Sequence, residues 1–143
     1  VFTVEVDAQS HKGLILNARL LWTFSALARS RGGNECVQMA RYAYETLMRT
    51  FWDAECGGAF WRLRYDGQVL DATKKIYWQA FVIYALVEYY LFSGDTEALG
   101  RARQVFGLIE NHAKSWLFGV GCAKSGIHAL PGNARIPPRP VKR

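Results

Sequence analysis

The side chain with the clearest potential for chemistry is Arg19, the only cation in the interior of the apolar segment 13–29, which ends at Arg29. Burying an unpaired charge is costly, so an arginine here needs a carboxylate partner or a wet cavity. In a cavity, its guanidinium would donate hydrogen bonds to the hydroxyl groups or developing oxyanion of a bound molecule. The alternative is a structural ion pair with Glu88 or another carboxylate, and the local sequence leaves both interpretations open.

Aromatic residues form a second group of candidates. A stripe at helical spacing consists of Tyr77, Trp78, Phe81 and Tyr84. Such a stripe usually belongs to a core, but the Tyr77 hydroxyl would also suit a ligand pocket. Phe60 and Trp61 follow the Gly57-Gly58 pair, and this position permits either ligand stacking or ordinary packing, with packing favoured.

The histidines and cysteines do not form a pattern of known chemistry. The histidines are His11, His112 and His128, and the cysteines are Cys36, Cys56 and Cys122. Neither set has zinc spacing, and an odd cysteine number argues against a disulfide framework. We therefore expect no metal, no cofactor and reduced thiols in a cytoplasmic protein.

The elements that position these residues alternate between two types of helix. Segments 13–29 and 74–92 are apolar on every side, which predicts helices that are buried all round. Segments 35–52 and 97–113 are amphipathic, with Asn34 and Asp95 or Thr96 as expected N-caps. Between the pairs, Asp66-Gly67 predicts a short β-hairpin near 59–71.

This alternation predicts two concentric layers, with apolar helices inside and amphipathic helices outside. Such layering is the logic of an all-α, α/α-barrel architecture, with a repeat of about sixty residues, and a small helical bundle would satisfy it less well. Two helical hairpins cannot close a ring, so we expect exposed apolar surface on the inner helices unless more chain or another subunit covers it. The apolar run at 76–92 is short for a membrane span and contains Gln79 and Glu88, so we expect no membrane association.

Charge divides the chain at Ala113. Up to that residue the sequence has twelve basic and twelve acidic residues, whereas the part at 114–143 has six basic residues, all four prolines and no acid. We predict a body at 1–113 and a basic, proline-containing tail at 114–143. The tail could bind phosphate weakly, but a solvated tail is favoured, and no specific nucleic-acid partner is expected.

Three segments carry a resemblance to a known family. They read NARLLWTFS at 17–25, FWDAECGGAFW at 51–61 and DATKKIYWQAF at 71–81. Together with weaker matches as far as His112, they resemble the N-terminal part of N-acylglucosamine 2-epimerases and cellobiose 2-epimerases. The resemblance implies an (α/α)6 barrel that interconverts sugars at C2 by proton abstraction, an enediolate intermediate and reprotonation.

The resemblance also assigns roles to two residues. Arg19 matches the family's active-site arginine and Tyr77 matches a tyrosine that faces the substrate. The histidines and the glutamate that the family uses for proton transfer belong to later helices and have no counterpart here. After Ala113 the sequence departs from the family pattern, which a frameshift or premature end would explain. We therefore expect an inactive fragment of an epimerase acting on an N-acylglucosamine-, mannose- or cellobiose-type sugar.

A different class of function remains as an alternative. Two helical hairpins with an apolar face also suit a protein-interaction module, such as a short α-solenoid, or a homo-oligomer formed through the inner helices. The long repeat and the Gly57-Gly58 loop are unusual for a solenoid.

Overall fold

The protein is represented by a computed structural model that describes residues 7–118, with side chains as far as His112. The described residues form four helices and three short strands. In chain order these are β1 (Lys12–Gly13), α1 (Leu14–Arg31), α2 (Asn34–Thr46), β2 (Arg62–Leu63), β3 (Val69–Asp71), α3 (Ile76–Ser93) and α4 (Thr96–Phe118). A π-helical turn at Leu47–Phe51 extends α2. The predicted helical hairpins with a short β-hairpin loop are therefore confirmed.

The two apolar helices lie side by side, and each amphipathic helix covers one of them. Helix α1 contacts α3 and α2, while α3 also contacts α4. The buried core lies between these layers and includes Leu14, Leu21, Leu47, Phe51, Leu86 and Val105. Burying each such side chain contributes about 1.5–3 kcal/mol. The layers that the sequence pattern predicts are thus present in the described residues.

Helices α1 and α3 run parallel. Near their starts, the Leu14 N–H donates to the Trp61 carbonyl at 3.1 Å, and the Trp61 ring stacks on Trp78 with centroids 3.6 Å apart. Farther along, Trp22 stacks on Tyr84 with centroids 5.0 Å apart. Residue numbers rise in the same direction on both helices, so residues that lie side by side on α1 and α3 differ in number by about sixty.

The helix boundaries show where local sequence signals hold. Gly94 ends α3 in a left-handed conformation with φ 74°, and the Asp95 carboxylate accepts a hydrogen bond from the Glu97 N–H at 2.8 Å. The prediction that Asn34 caps α2 is wrong, because Gly33 precedes the helix and Asn34 is its first residue. Helix α4 continues to Phe118, past the Ala113 at which the sequence pattern ended it.

The hairpin lies where the Asp66-Gly67 pair predicts it. Strands β2 and β3 pair antiparallel, and the Arg64 N–H donates to the Gln68 carbonyl across the turn at 2.8 Å. Strand β1, which no pattern in the sequence predicts, adds a third strand through the pairing of Lys12 with Leu63. The sheet therefore ties the start of α1 to the loop that precedes α3. Residues 119–143 of the tail predicted at 114–143, among them Cys122 and His128, lie outside the described residues.

Candidate functional site

One side of the inner helix pair is uncovered in the described structure. We name it the open face, and it carries Leu16, Leu20, Tyr77, Tyr84 and Leu91, all of them exposed. Residues on the opposite side of both helices, such as Ala18 and Val82, are buried. The prediction that both helices are buried all round is therefore wrong for this side. The exposed apolar surface that was expected of two hairpins lies here.

Arg19 belongs to the open face. It is exposed and lies three residues after Leu16 on the same stripe of α1, since residues three and four apart share one helix face. Within residues 7–118 its guanidinium makes no hydrogen bond or ion pair. Glu88, the alternative partner, instead accepts a 2.8 Å hydrogen bond from Arg29 Nε. A cation that is exposed among apolar side chains is available to a ligand.

Tyr77 lies at the start of the same face. Its side chain is 64% exposed in the first turn of α3, and its ring meets Phe81 edge-on with centroids 5.2 Å apart. No hydrogen bond to the Tyr77 hydroxyl is found in the described residues, so this group is also available to a ligand. Tyr77 thus keeps its ring in contact with the helix and its hydroxyl in the open.

The parallel arrangement of α1 and α3 brings Arg19 to the same end of the open face as Tyr77. Trp22 is level with Tyr84, and Arg19 lies about one helical turn closer to the start of α1. Arg19 is therefore level with the part of α3 between Tyr77 and Tyr84. The two residues singled out from the sequence share one surface, with a guanidinium and a phenol directed away from the core.

A buried polar cluster, which no motif in the sequence indicates as a unit, supports the start of α3. Lys74 is 2% exposed; its ammonium donates to the Asp53 carboxylate and to the Gly57 carbonyl at 2.7 Å. Burial alone would raise the pKa of Asp53, but hydrogen bonds from Lys74 and from the backbone N–H groups of Cys56 and Glu55 outweigh it and hold this pKa below its usual value. The only prior signal was the presence of Asp53 and Lys74 in the segments that carry the resemblance.

Gln79 completes this support from inside α3. Its Oε1 accepts a hydrogen bond from the Ala59 N–H at 2.9 Å, and its Nε2 donates to the Ala59 carbonyl at 2.7 Å. A Cβ on Gly58, which has φ 76°, would lie 2.8 Å from Gln79 Oε1. The glycine is therefore required both by its backbone conformation and by the close approach of the amide. The loop at 53–59 and the first turns of α3 are fixed to each other.

The remaining candidates have other roles in the described structure. Trp61 packs against Trp78, which favours the packing interpretation over ligand stacking, while Phe60 lies beside Lys74 with its ring centroid 5.6 Å from the ammonium. His11 lines a cleft of about 340 Å³ with Gln9, Arg64, Tyr65 and Leu70. His112 lies on α4, and its Nε2 is buried without a hydrogen-bond partner in the described residues.

Two general properties concern residues 7–118 alone. They contain no cluster of three or more histidine, cysteine, aspartate or glutamate side chains that could hold a metal ion. None of their helices is both long enough and apolar enough to cross a membrane.

Comparison with known proteins relates this chain to a family of sugar epimerases. Residues 3–126 match the N-acylglucosamine 2-epimerase family. A cellobiose 2-epimerase of Bacteroides fragilis is 45% identical over 109 residues, which are 76% of this chain and 28% of that protein. A cellobiose 2-epimerase of Ruminococcus albus is 40% identical over 111 residues, again 28% of its length.

Solved structures give the same result. The structure of cellobiose 2-epimerase from Spirochaeta thermophila aligns with a TM-score of 0.72 and 42% identity, covering 73% of this chain and 26% of that one. A D-mannose isomerase at 19% identity, with a TM-score of 0.61 over 74% of this chain and 26% of its own, shares the fold. The chain belongs to the N-acylglucosamine 2-epimerase family, and it spans about 28% of the length of these curated relatives.

Proposed function

We propose that this chain supplies one wall of the active site of a sugar 2-epimerase, with Arg19 as its catalytic residue and Tyr77 as a substrate-binding residue. The observation that carries the proposal is that Arg19, without a protein partner in the described residues, shares the open face with the exposed Tyr77. Family membership supports the reaction class, and relatives named as cellobiose 2-epimerases support a sugar substrate.

The chemistry of Arg19 suits this reaction. Removing the proton at C2 of an opened sugar places negative charge on the carbonyl oxygen of an enediolate. A guanidinium carries several N–H donors in a fixed plane and stays charged at any physiological pH. Because the electrostatic attraction grows as negative charge develops, the guanidinium would stabilise the oxyanion more than the neutral carbonyl. Arg19 would therefore lower the barrier without transferring the proton itself.

The Tyr77 hydroxyl would bind and orient the sugar. A phenol both donates and accepts hydrogen bonds, as sugar hydroxyl recognition requires. The proton itself needs groups with a pKa near neutrality, and histidine suits this role. By resemblance, those histidines belong to later helices, so we propose that the isolated chain is inactive. The substrate is an N-acylglucosamine-, mannose- or cellobiose-type sugar.

A chimeric enzyme tests this proposal. The matching segment of the Bacteroides fragilis enzyme is replaced by residues of this chain, and epimerisation of cellobiose is followed by product analysis. We expect an active chimera in which Arg19→Ala lowers kcat by about 10²–10³-fold, whereas Tyr42→Phe, on the outer helix α2, leaves kcat unchanged. An active chimera that is indifferent to Arg19→Ala would refute the assignment. Turnover by the isolated chain would refute its inactivity.

The open face also supports a second candidate function. Exposed Leu16, Leu20 and Leu91 suit contact with another protein or with a second copy of this chain. Light scattering after size-exclusion chromatography separates these possibilities: a concentration-dependent dimer that Leu20→Glu dissociates would support the homo-oligomer.

A cytoplasmic location is suggested by the spacing of the cysteines, which does not fit a disulfide framework, and stays a proposal. So does the division into a body at 1–113 and a basic tail at 114–143.

A further inference from the structure

We infer that Tyr84, which stacks on Trp22, is a third sugar-binding residue of the open face. The proposed site begins at Tyr77 and ends at Tyr84, farther along α3. The inference rests on the proposed function, because it concerns the same surface. The resemblance assigns Arg19 and Tyr77 to the site and gives no role to Tyr84.

The first argument is position. Tyr84 lies seven residues after Tyr77, which is about two helical turns or roughly 10 Å along the same side of α3. Because Trp22 stacks on Tyr84, Arg19 lies about one helical turn closer to the helix starts than Tyr84 does. The cation therefore lies between two phenols whose separation of roughly 10 Å exceeds one hexose ring and approaches the length of a disaccharide.

The second argument is the state of the Tyr84 side chain. It is 52% exposed, although its ring is held nearly parallel to Trp22 with an interplanar angle of 17°. No hydrogen bond to its hydroxyl is found in residues 7–118. A tyrosine that serves only the core would bury its ring and find a partner for its hydroxyl. Tyr84 instead has a ring that is fixed by stacking and a hydroxyl that is free to bind.

The third argument is chemical complementarity. A hexose presents hydroxyl groups around its edge and apolar C–H groups on its faces. The open face offers matching groups: two phenol hydroxyls and a guanidinium for the edge, and the exposed apolar side chains Leu16 and Leu20 for the faces. Tyr84 adds a hydroxyl at the end of the site farthest from Tyr77, where the other hydroxyls of the sugar would lie.

The experiment measures sugar binding by the 143-residue chain. The indole N–H signals of the ¹⁵N-labelled protein are followed by NMR during titration with cellobiose and, separately, with mannose. Trp22 is the local reporter because its ring touches Tyr84. We expect saturable shifts for the wild type, and an affinity about five-fold weaker for Tyr84→Phe, the effect of losing one neutral hydrogen bond. The phenylalanine ring keeps the stack on Trp22, so thermal stability should not change.

Two matched variants make the result decisive. Tyr42→Phe removes the hydroxyl of another exposed tyrosine, on α2, and should bind like the wild type. Arg19→Ala should lose about ten-fold or more because its hydrogen bonds are charged. Wild-type affinity in Tyr84→Phe, combined with a loss in Arg19→Ala, would overturn the role of Tyr84 and keep the proposed function. Absence of saturable shifts in the wild type would contradict both.

Discussion

Replacing Gly58 by alanine should destabilise the protein through a clash that can be separated from backbone strain. Gly58 has φ 76°, and an added Cβ would lie 2.8 Å from Gln79 Oε1. A left-handed conformation costs a non-glycine residue about 1–2 kcal/mol. Moving Gln79 Oε1 away would also leave the Ala59 N–H without its partner, at about 1–3 kcal/mol. The expected loss in free energy of unfolding is therefore about 2–5 kcal/mol.

The chain provides its own control for the strain. Gly67 has φ 91°, but a Cβ there meets nothing within 4 Å. Gly67→Ala should therefore lose only the strain, about 1–2 kcal/mol. Urea unfolding followed by far-ultraviolet circular dichroism measures both variants. If Gly58→Ala costs no more than Gly67→Ala, the close packing of the Gln79 amide against the loop has no energetic effect and the reasoning is refuted.

A double mutant identifies the atom responsible. In a Gln79→Ala background, the nearest remaining atoms to a Cβ on Gly58 are Leu108 Cδ1 and Lys74 Cδ, both at 3.5 Å, an ordinary contact distance. Gly58→Ala should then cost about as much as Gly67→Ala, so the two substitutions should be non-additive by more than about 1 kcal/mol. Additive effects would mean that the clash is with some other group.

Further predictions concern charge and capping. The pKa of Asp53 is lowered in the folded protein. Its contribution to the free energy of unfolding should therefore be complete above the unfolded pKa of about 3.9 and disappear as the pH falls through the folded pKa. A free energy of unfolding that stays constant below about pH 4 would contradict this. Lys74→Met should cost about 3–5 kcal/mol near neutral pH, because it leaves the Asp53 carboxylate without its ammonium partner, and a smaller loss than in Gly67→Ala would argue against this pair. Asp95→Ala should cost about 1 kcal/mol by removing the cap of α4, whereas Asn34→Ala should change stability by less than about 0.5 kcal/mol; equal effects in thermal unfolding would show that the cap geometry is not what matters.

Local signals in the sequence predicted those elements that short-range physics determines. The Asp66-Gly67 turn and the cap at Asp95, one of the two residues expected there, depend on one or two residues each, and both are present in the structure. Asn34 failed as a cap because the left-handed turn at Gly32 and Gly33 lets the helix begin one residue earlier than the asparagine would. Strand β1 could not be predicted because it has only two residues, too few to show the alternation of a strand. It forms only by pairing with β2, which is distant in the sequence.

The candidate site was predictable only in part. Arg19 could be selected from the sequence because a charged residue in the interior of an apolar helix is unusual. The resemblance assigned a substrate-facing role to Tyr77. The sequence could not exclude Glu88 as the partner of Arg19, since that depends on the depth of α1 relative to α3. The cluster of Lys74, Asp53 and Gln79 depends on contacts across about twenty residues, which composition and periodicity do not reveal.

The stacked indoles of Trp61 and Trp78 give the fold an optical signature. Two indoles with centroids 3.6 Å apart couple their electronic transitions, and such coupling produces a paired band in circular dichroism that helices alone do not give. Trp61 immediately precedes strand β2 and Trp78 belongs to α3, so the band reports whether this loop and the helix are docked. During unfolding, its disappearance can be timed against the loss of helical signal. The molecule thus contains a label-free probe of the junction that supports its candidate site.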